Sequence, residues 1–109
     1  MSDSGIHLVY STVPSEEEAA HLAKSLVEDR LAACANIIPG LRSIYRWQGV
    51  VEDERETLLL LKTDSGHVQT LIDRLVQLHS YDVPDIVAIP IDQAHPPYAD
   101  WVKENTALS

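Results

Sequence analysis

Cysteine occurs once in this chain, phenylalanine is absent, and glycine appears only at Gly5, Gly40, Gly49 and Gly66. A lone Cys34 forms no disulfide within the chain, which agrees with a reducing compartment. Four scattered glycines exclude a glycine-rich phosphate loop, and there is no nucleophile elbow, paired-cysteine zinc motif or His-x-x-x-His pair. These absences weigh against an enzyme. Positive charge is also scarce: 8 Lys and Arg face 17 Asp and Glu, a net charge of −9 that repels nucleic acid. Apolar runs such as Leu58–Leu61 fall far short of a bilayer span, so no membrane insertion is expected. Met1 to Tyr10 lacks the basic start and apolar stretch of a signal peptide, which predicts a cytoplasmic protein.

The 109 residues fit one domain, 1–109, with an ordered core over about 6–103. His7 to Val13 reads as a strand that stops at Pro14. Ser15 with Glu18 three residues later matches a capping box, and Ala19, Leu22, Ala23, Leu26 and Val27 follow at helical spacing. From about Ala32 to Trp47 the pattern is β-like, interrupted by a bulge or bend at Pro39-Gly40. Gln48-Gly49 then predicts a hairpin turn into a return arm, Val50 to Thr63. A strand of such length spans about 46 Å, more than a domain this size needs internally, so part of the hairpin is expected to pair with another subunit.

Asp64 or Ser65 caps a second helix carrying Val68, Leu71, Ile72, Leu75 and Val76 as its apolar stripe. A polar loop, His79 to Pro84, leads to a last strand, Asp85 to Ile91, and Pro96-Pro97 precedes a short amphipathic helix, Tyr98 to Val102. The order βαββαβ plus a C-terminal helix predicts an α+β, ferredoxin-like split βαβ sandwich with an antiparallel sheet and a long β-hairpin.

Several side chains admit both a bland and a chemical role. Cys34 is either a small packed hydrophobe or a soft thiolate ligand for Cu(I) or zinc. His79, in a polar turn and expected not to be wholly buried, either complements the end of the second helix or belongs to a site. Lys62, which ends an apolar strand, either reaches solvent or holds a small anion in a cleft. Tyr45, Trp47, Tyr81, Tyr98 and Trp101 lie outside the core periodicities, a placement that suits a subunit contact or a pocket rim.

The run Arg30 to Gly40, the segment Ser43 to Gly49, Leu61-Lys62-Thr63, Leu78 to Asp85 with Ile89-Pro90-Ile91, and Tyr98 with Trp101-Val102 together resemble the CutA divalent-cation tolerance family. The resemblance implies a tight homotrimer like the PII signalling proteins, with clefts between subunits formed partly by the hairpin. It implies a role in tolerance of or response to divalent metal ions. Tyr45, Trp47, Lys62, Tyr81, Asp85 and Trp101 match residues expected around the cleft, and Cys34 and His79 match candidate ligands for copper or another divalent cation. This chain departs from the usual family pattern in having Ser80 after His79 where proline is usual, and Asp82 and Asp85 where glutamates are usual. The expected partners are therefore two further copies of the chain and a divalent metal ion or a small anion. Two alternatives remain: a small enzyme using Lys62, His79 and Asp85 as charge-stabilising and acid/base groups, and a structural trimer that scaffolds a partner protein.

Overall fold

The computed structural model describes residues 4–106; residues 1–3 and 107–109, part of the single-domain expectation, lie outside the described residues. Strand β1 (Ile6–Val13) leads to helix α1 (Glu16–Glu28), then β2 (Cys34–Trp47) and β3 (Val50–Asp64) form a hairpin. A short 3-10 turn (Ser65–His67) opens helix α2 (Val68–Leu78), followed by β4 (Ile86–Pro90) and helix α3 (Pro96–Thr106). The four strands lie in the order β2-β3-β1-β4, and every neighbouring pair is antiparallel. This is the expected split βαβ arrangement.

Strand alternation divides the sheet into two unlike faces. Val9 and Val13 of β1 and Leu59 and Leu61 of β3 point to one side, where Leu22 and Leu26 of α1 and Leu71 and Leu75 of α2 close the main core with them. Each fully buried leucine stabilises the fold by roughly 1.5–3 kcal/mol. At the margins of the helical stripes, Val27 and Val76 remain exposed. Among the described residues, the other face is covered only at one end, where α3 packs Ala99 and Val102 on Ile6 and Ala33. Helix α3 runs to Thr106, beyond the expected Val102, because the Thr106 hydroxyl donates to Asp64 Oδ2 at 2.9 Å and ties the last turn to the end of β3.

The bulge and the turn of the hairpin both follow from local chemistry. The register slips between Ile38 and Leu41, so Pro39 and Gly40 occupy a bulge on an edge strand, where the missing proline N–H is tolerated. Gln48 and Gly49 both have positive φ, 49° and 82°, the combination that turns two strands with the right-handed twist. Beyond the bulge, Val50–Glu56 pairs with β2 alone, because β1 reaches β3 only from Thr57 onward. The hairpin thus projects as a two-stranded arm and helps draw the molecule out to 44 × 29 × 22 Å. No helix among the described residues is long and apolar enough to cross a membrane.

Candidate functional site

The residues picked out from the sequence fall into two groups at opposite ends of the sheet's second face. The first surrounds Lys62, which lies between Leu8 of β1 and Cys34 of β2 in the ladder. The Lys62 ammonium donates to Asn36 Oδ1 at 3.3 Å and to Cys34 Sγ at 3.8 Å, and it stands 5.5 Å from the centre of the Tyr98 ring. Tyr98 Oη is 3.3 Å from Cys34 Sγ, and its ring stacks on Trp101 at 5.6 Å. Burial first, and then the neighbouring thiol, push the Tyr98 phenol above its ordinary range despite the Lys62 charge. Cys34 is half-buried, so it is neither a sealed core residue nor an open ligand.

The second group is a cleft of about 880 Å³ between the projecting hairpin and the loop that follows α2. Tyr45, Trp47, Tyr81 and Asp85 line it; Lys62, Trp101 and Cys34 do not. Along β3 the lining adds Glu52, Glu54 and Glu56, which alternation places on one face, and the loop adds Asp82. Among the described residues, five carboxylates and no Lys, Arg or His side chain thus border the cleft. Surrounding protein and then Glu54, Glu56 and Glu52 push the Tyr45 phenol up. Burial and a hydrogen bond to Glu56 push Tyr81 up strongly, so both phenols keep their protons.

The loop is placed by contacts to three elements. Ser80 donates through its N–H and hydroxyl to the Glu18 carboxylate at 3.2 and 2.8 Å, while the Glu18 N–H donates to Ser15 Oγ at 3.1 Å. Glu18 therefore completes only half of the expected capping box and spends its carboxylate on the loop. Tyr81 Oη donates to Glu56 Oε2 at 2.8 Å. The expectation that His79 is not wholly buried is corrected: the residue is 7% exposed. Its Nε2 is 2.9 Å from the Thr12 carbonyl, and the Tyr81 N–H donates to Nδ1 at 3.1 Å. A carbonyl on one side and an N–H on the other put the ring proton on Nε2 and leave neither nitrogen open to a metal.

Nor does one chain bring His79 to Cys34 or Lys62. His79 is anchored at Thr12, opposite Leu58, four residues along the sheet from the Lys62 position, a separation of about 13 Å. The anion held jointly by Lys62 and His79, and the acid/base set Lys62, His79 and Asp85, therefore lack a common point within the chain. Among the described residues, no three His, Cys, Asp or Glu side chains converge to hold a metal ion. In the sequence, Glu52, Glu54 and Glu56 belong to a charged stretch at the start of the return arm. Their period of two within a strand was the signal that they share a face.

Comparison with known proteins agrees with this architecture. The profile of the family described as CutA1 divalent ion tolerance protein matches residues 7–105. A divalent-cation tolerance protein CutA from Thermus thermophilus is 56% identical over 99 residues, covering 91% of this chain and 96% of its own. A chloroplastic CutA from Arabidopsis thaliana is 41% identical over 91% of this chain, which spans only 54% of that longer protein. The solved structure of a Thermus thermophilus divalent cation tolerance protein superposes with a TM-score of 0.90 at 54% identity, covering 94% of this chain and 99% of that one.

Proposed function

The chain belongs to the CutA1 divalent ion tolerance family, and from that premise we propose a cytoplasmic homotrimer that binds cations in clefts between subunits and serves the response to divalent metals, copper among them, without catalysing a reaction. The observation that carries this reading is the cleft lined, among the described residues, by five carboxylates and no cationic side chain. Such a surface attracts cations and rejects small anions. Because no three ligands converge within one chain among the described residues, a tightly held metal takes its remaining ligands from a neighbouring copy. Cys34 is the only cysteine in the chain and the residue that favours copper over harder ions.

Association between copies has its own support. Ile38, Val87 and Ile89 are 50%, 38% and 46% exposed on the uncovered sheet face, an apolar area that a partner surface would bury. The projecting hairpin points the same way, since a two-stranded ribbon alone is marginally stable in water. Light scattering on the eluting protein tests the assembly: the expected mass is three chains, and Ile89→Asp lowers it. Titration with Cu(II) and Zn(II) tests the cleft, with the Glu52→Gln/Glu54→Gln double variant expected to weaken binding of both ions. A monomeric wild type, or metal affinity untouched by the double variant, overturns the reading.

A further inference from the structure

We propose that the loop after α2 is a proton-operated wall of the cleft, in which charging of His79 turns its Nδ1 from the Tyr81 N–H to the Glu18 carboxylate and draws Tyr81 off the cleft. The His79 side chain is wholly buried where β1, α1 and the loop meet. Its Nε2 donates to the Thr12 carbonyl at 2.9 Å, and its Nδ1 accepts the Tyr81 N–H at 3.1 Å. Only the neutral ring can make both bonds, because a charged imidazole donates from both nitrogens and accepts at neither. Glu18 Oε2 lies 3.9 Å from the same Nδ1. One nitrogen therefore has a partner at hand for each protonation state, a donor for the neutral ring and an acceptor for the charged one.

The groups around the ring give the direction of the change. Among the described residues, the titratable side chains in contact with His79 are Glu18 on α1 and Tyr81, whose ring centre is 4.8 Å from that of the imidazole. Glu56 of β3 stands behind the Tyr81 hydroxyl. From β1 and α2 the polar contacts are backbone carbonyls, Thr12 O to the ring and Leu75 O to the His79 N–H. Burial favours the neutral ring and the carboxylates favour the charged one, so acidification works toward Glu18. A proton taken from solvent at Nδ1 breaks the bond from the Tyr81 N–H and sets a new N–H against Glu18 Oε2, which in the neutral state accepts from the Ser80 N–H and hydroxyl. Ser80 and Tyr81 then shift together, and the Tyr81 bond to Glu56, which joins the loop to β3 at the cleft, is loosened. This inference concerns the position of the cleft wall and holds whatever the cleft binds.

NMR of the whole protein from about pH 8 to about pH 5, the span over which imidazoles change charge, tests the proposal through the His79 ring nitrogens and the Ser80 and Tyr81 amides. The ring is expected to carry its proton on Nε2 alone at the upper end and on both nitrogens at the lower. With the same midpoint, the Tyr81 amide changes shift and loses about tenfold of its exchange protection, corrected for the intrinsic pH dependence of exchange, as one hydrogen bond is lost. His79→Gln keeps a donor for Thr12 O and has no proton to gain, so it abolishes the transition at Tyr81. Glu18→Gln removes the charge that receives the ring and moves the midpoint to lower pH, which keeps the test sound should His79→Gln fold poorly. A Tyr81 amide that stays unchanged while the ring takes its proton overturns the proposal, as does a ring that remains neutral throughout. So does a Tyr81 transition that survives in His79→Gln, or a midpoint unmoved in Glu18→Gln.

Discussion

The Tyr81 hydroxyl donates to Oε2 of Glu56 at 2.8 Å, tying the loop after α2 to the point where β3 leaves the body of the sheet. Glu56 is buried at that point, and no other side chain among the described residues donates to it. Tyr81→Phe removes the donor and keeps the ring, so the largely buried carboxylate loses its side-chain hydrogen bond. The expected loss is about 1–3 kcal/mol in urea unfolding. A Tyr81→Phe/Glu56→Gln double variant recovers part of it, because the charge that needed the donor is gone.

Arg30 carries a second cost, in the backbone. Its φ is 59°, in the left-handed region, and it follows the C-cap Asp29 of α1. The Arg30 N–H donates to Val27 O and the Leu31 N–H to Leu26 O, both at 3.0 Å, which is a Schellman ending with arginine where glycine is usual. Arg30→Gly relieves the strained φ and is expected to stabilise the protein by about 0.5–1 kcal/mol. Thermal unfolding reads the gain as a raised midpoint, and Arg30→Val moves it the other way.

Asp64 makes stability depend on acidity. Burial pushes its carboxyl up, but hydrogen bonds with His67 and Thr106 and from the Gly66 N–H outweigh that push and hold it below the usual range. A carboxyl depressed in the folded state contributes stability above the unfolded value of about 3.9, and that contribution disappears as pH falls through the folded value. Urea unfolding at a series of pH values should show wild type ahead of Asp64→Asn at neutral pH. The gap closes below about pH 4. A gap that persists unchanged to about pH 2 contradicts the assignment.

Leu61 is fully buried where β3 meets β1 and β2 under the two helices. Leu61→Ala leaves a cavity in a packed layer and is expected to cost about 2–5 kcal/mol. The exposed Ile44 on the hairpin offers the contrast: Ile44→Ala leaves the unfolding of a single chain nearly unchanged, so any effect it has on assembled mass reports contact between copies.

What the amino-acid sequence determined by itself was local. Apolar residues at a period of about 3.6 specify α1 and α2, alternation specifies the strands, and Pro39-Gly40 and Gln48-Gly49 mark the bulge and the turn because their backbone geometry is set by those residues. The hairpin's excess length was legible from residue count and strand rise alone. Four of the cleft residues, Tyr45, Trp47, Tyr81 and Asp85, were likewise marked by the family resemblance. The left-handed ending at Arg30 was not, since no glycine announces it. The fate of His79 was decided only in three dimensions, where the Thr12 carbonyl meets Nε2 from 67 residues away in the chain. So was the separation of Cys34 and Lys62 from His79: register along β1 and β3, not spacing along the chain, sets which side chains share one end of the sheet. Periodicity tells a residue's face, and only strand pairing and the packing of loops tell which residues meet there.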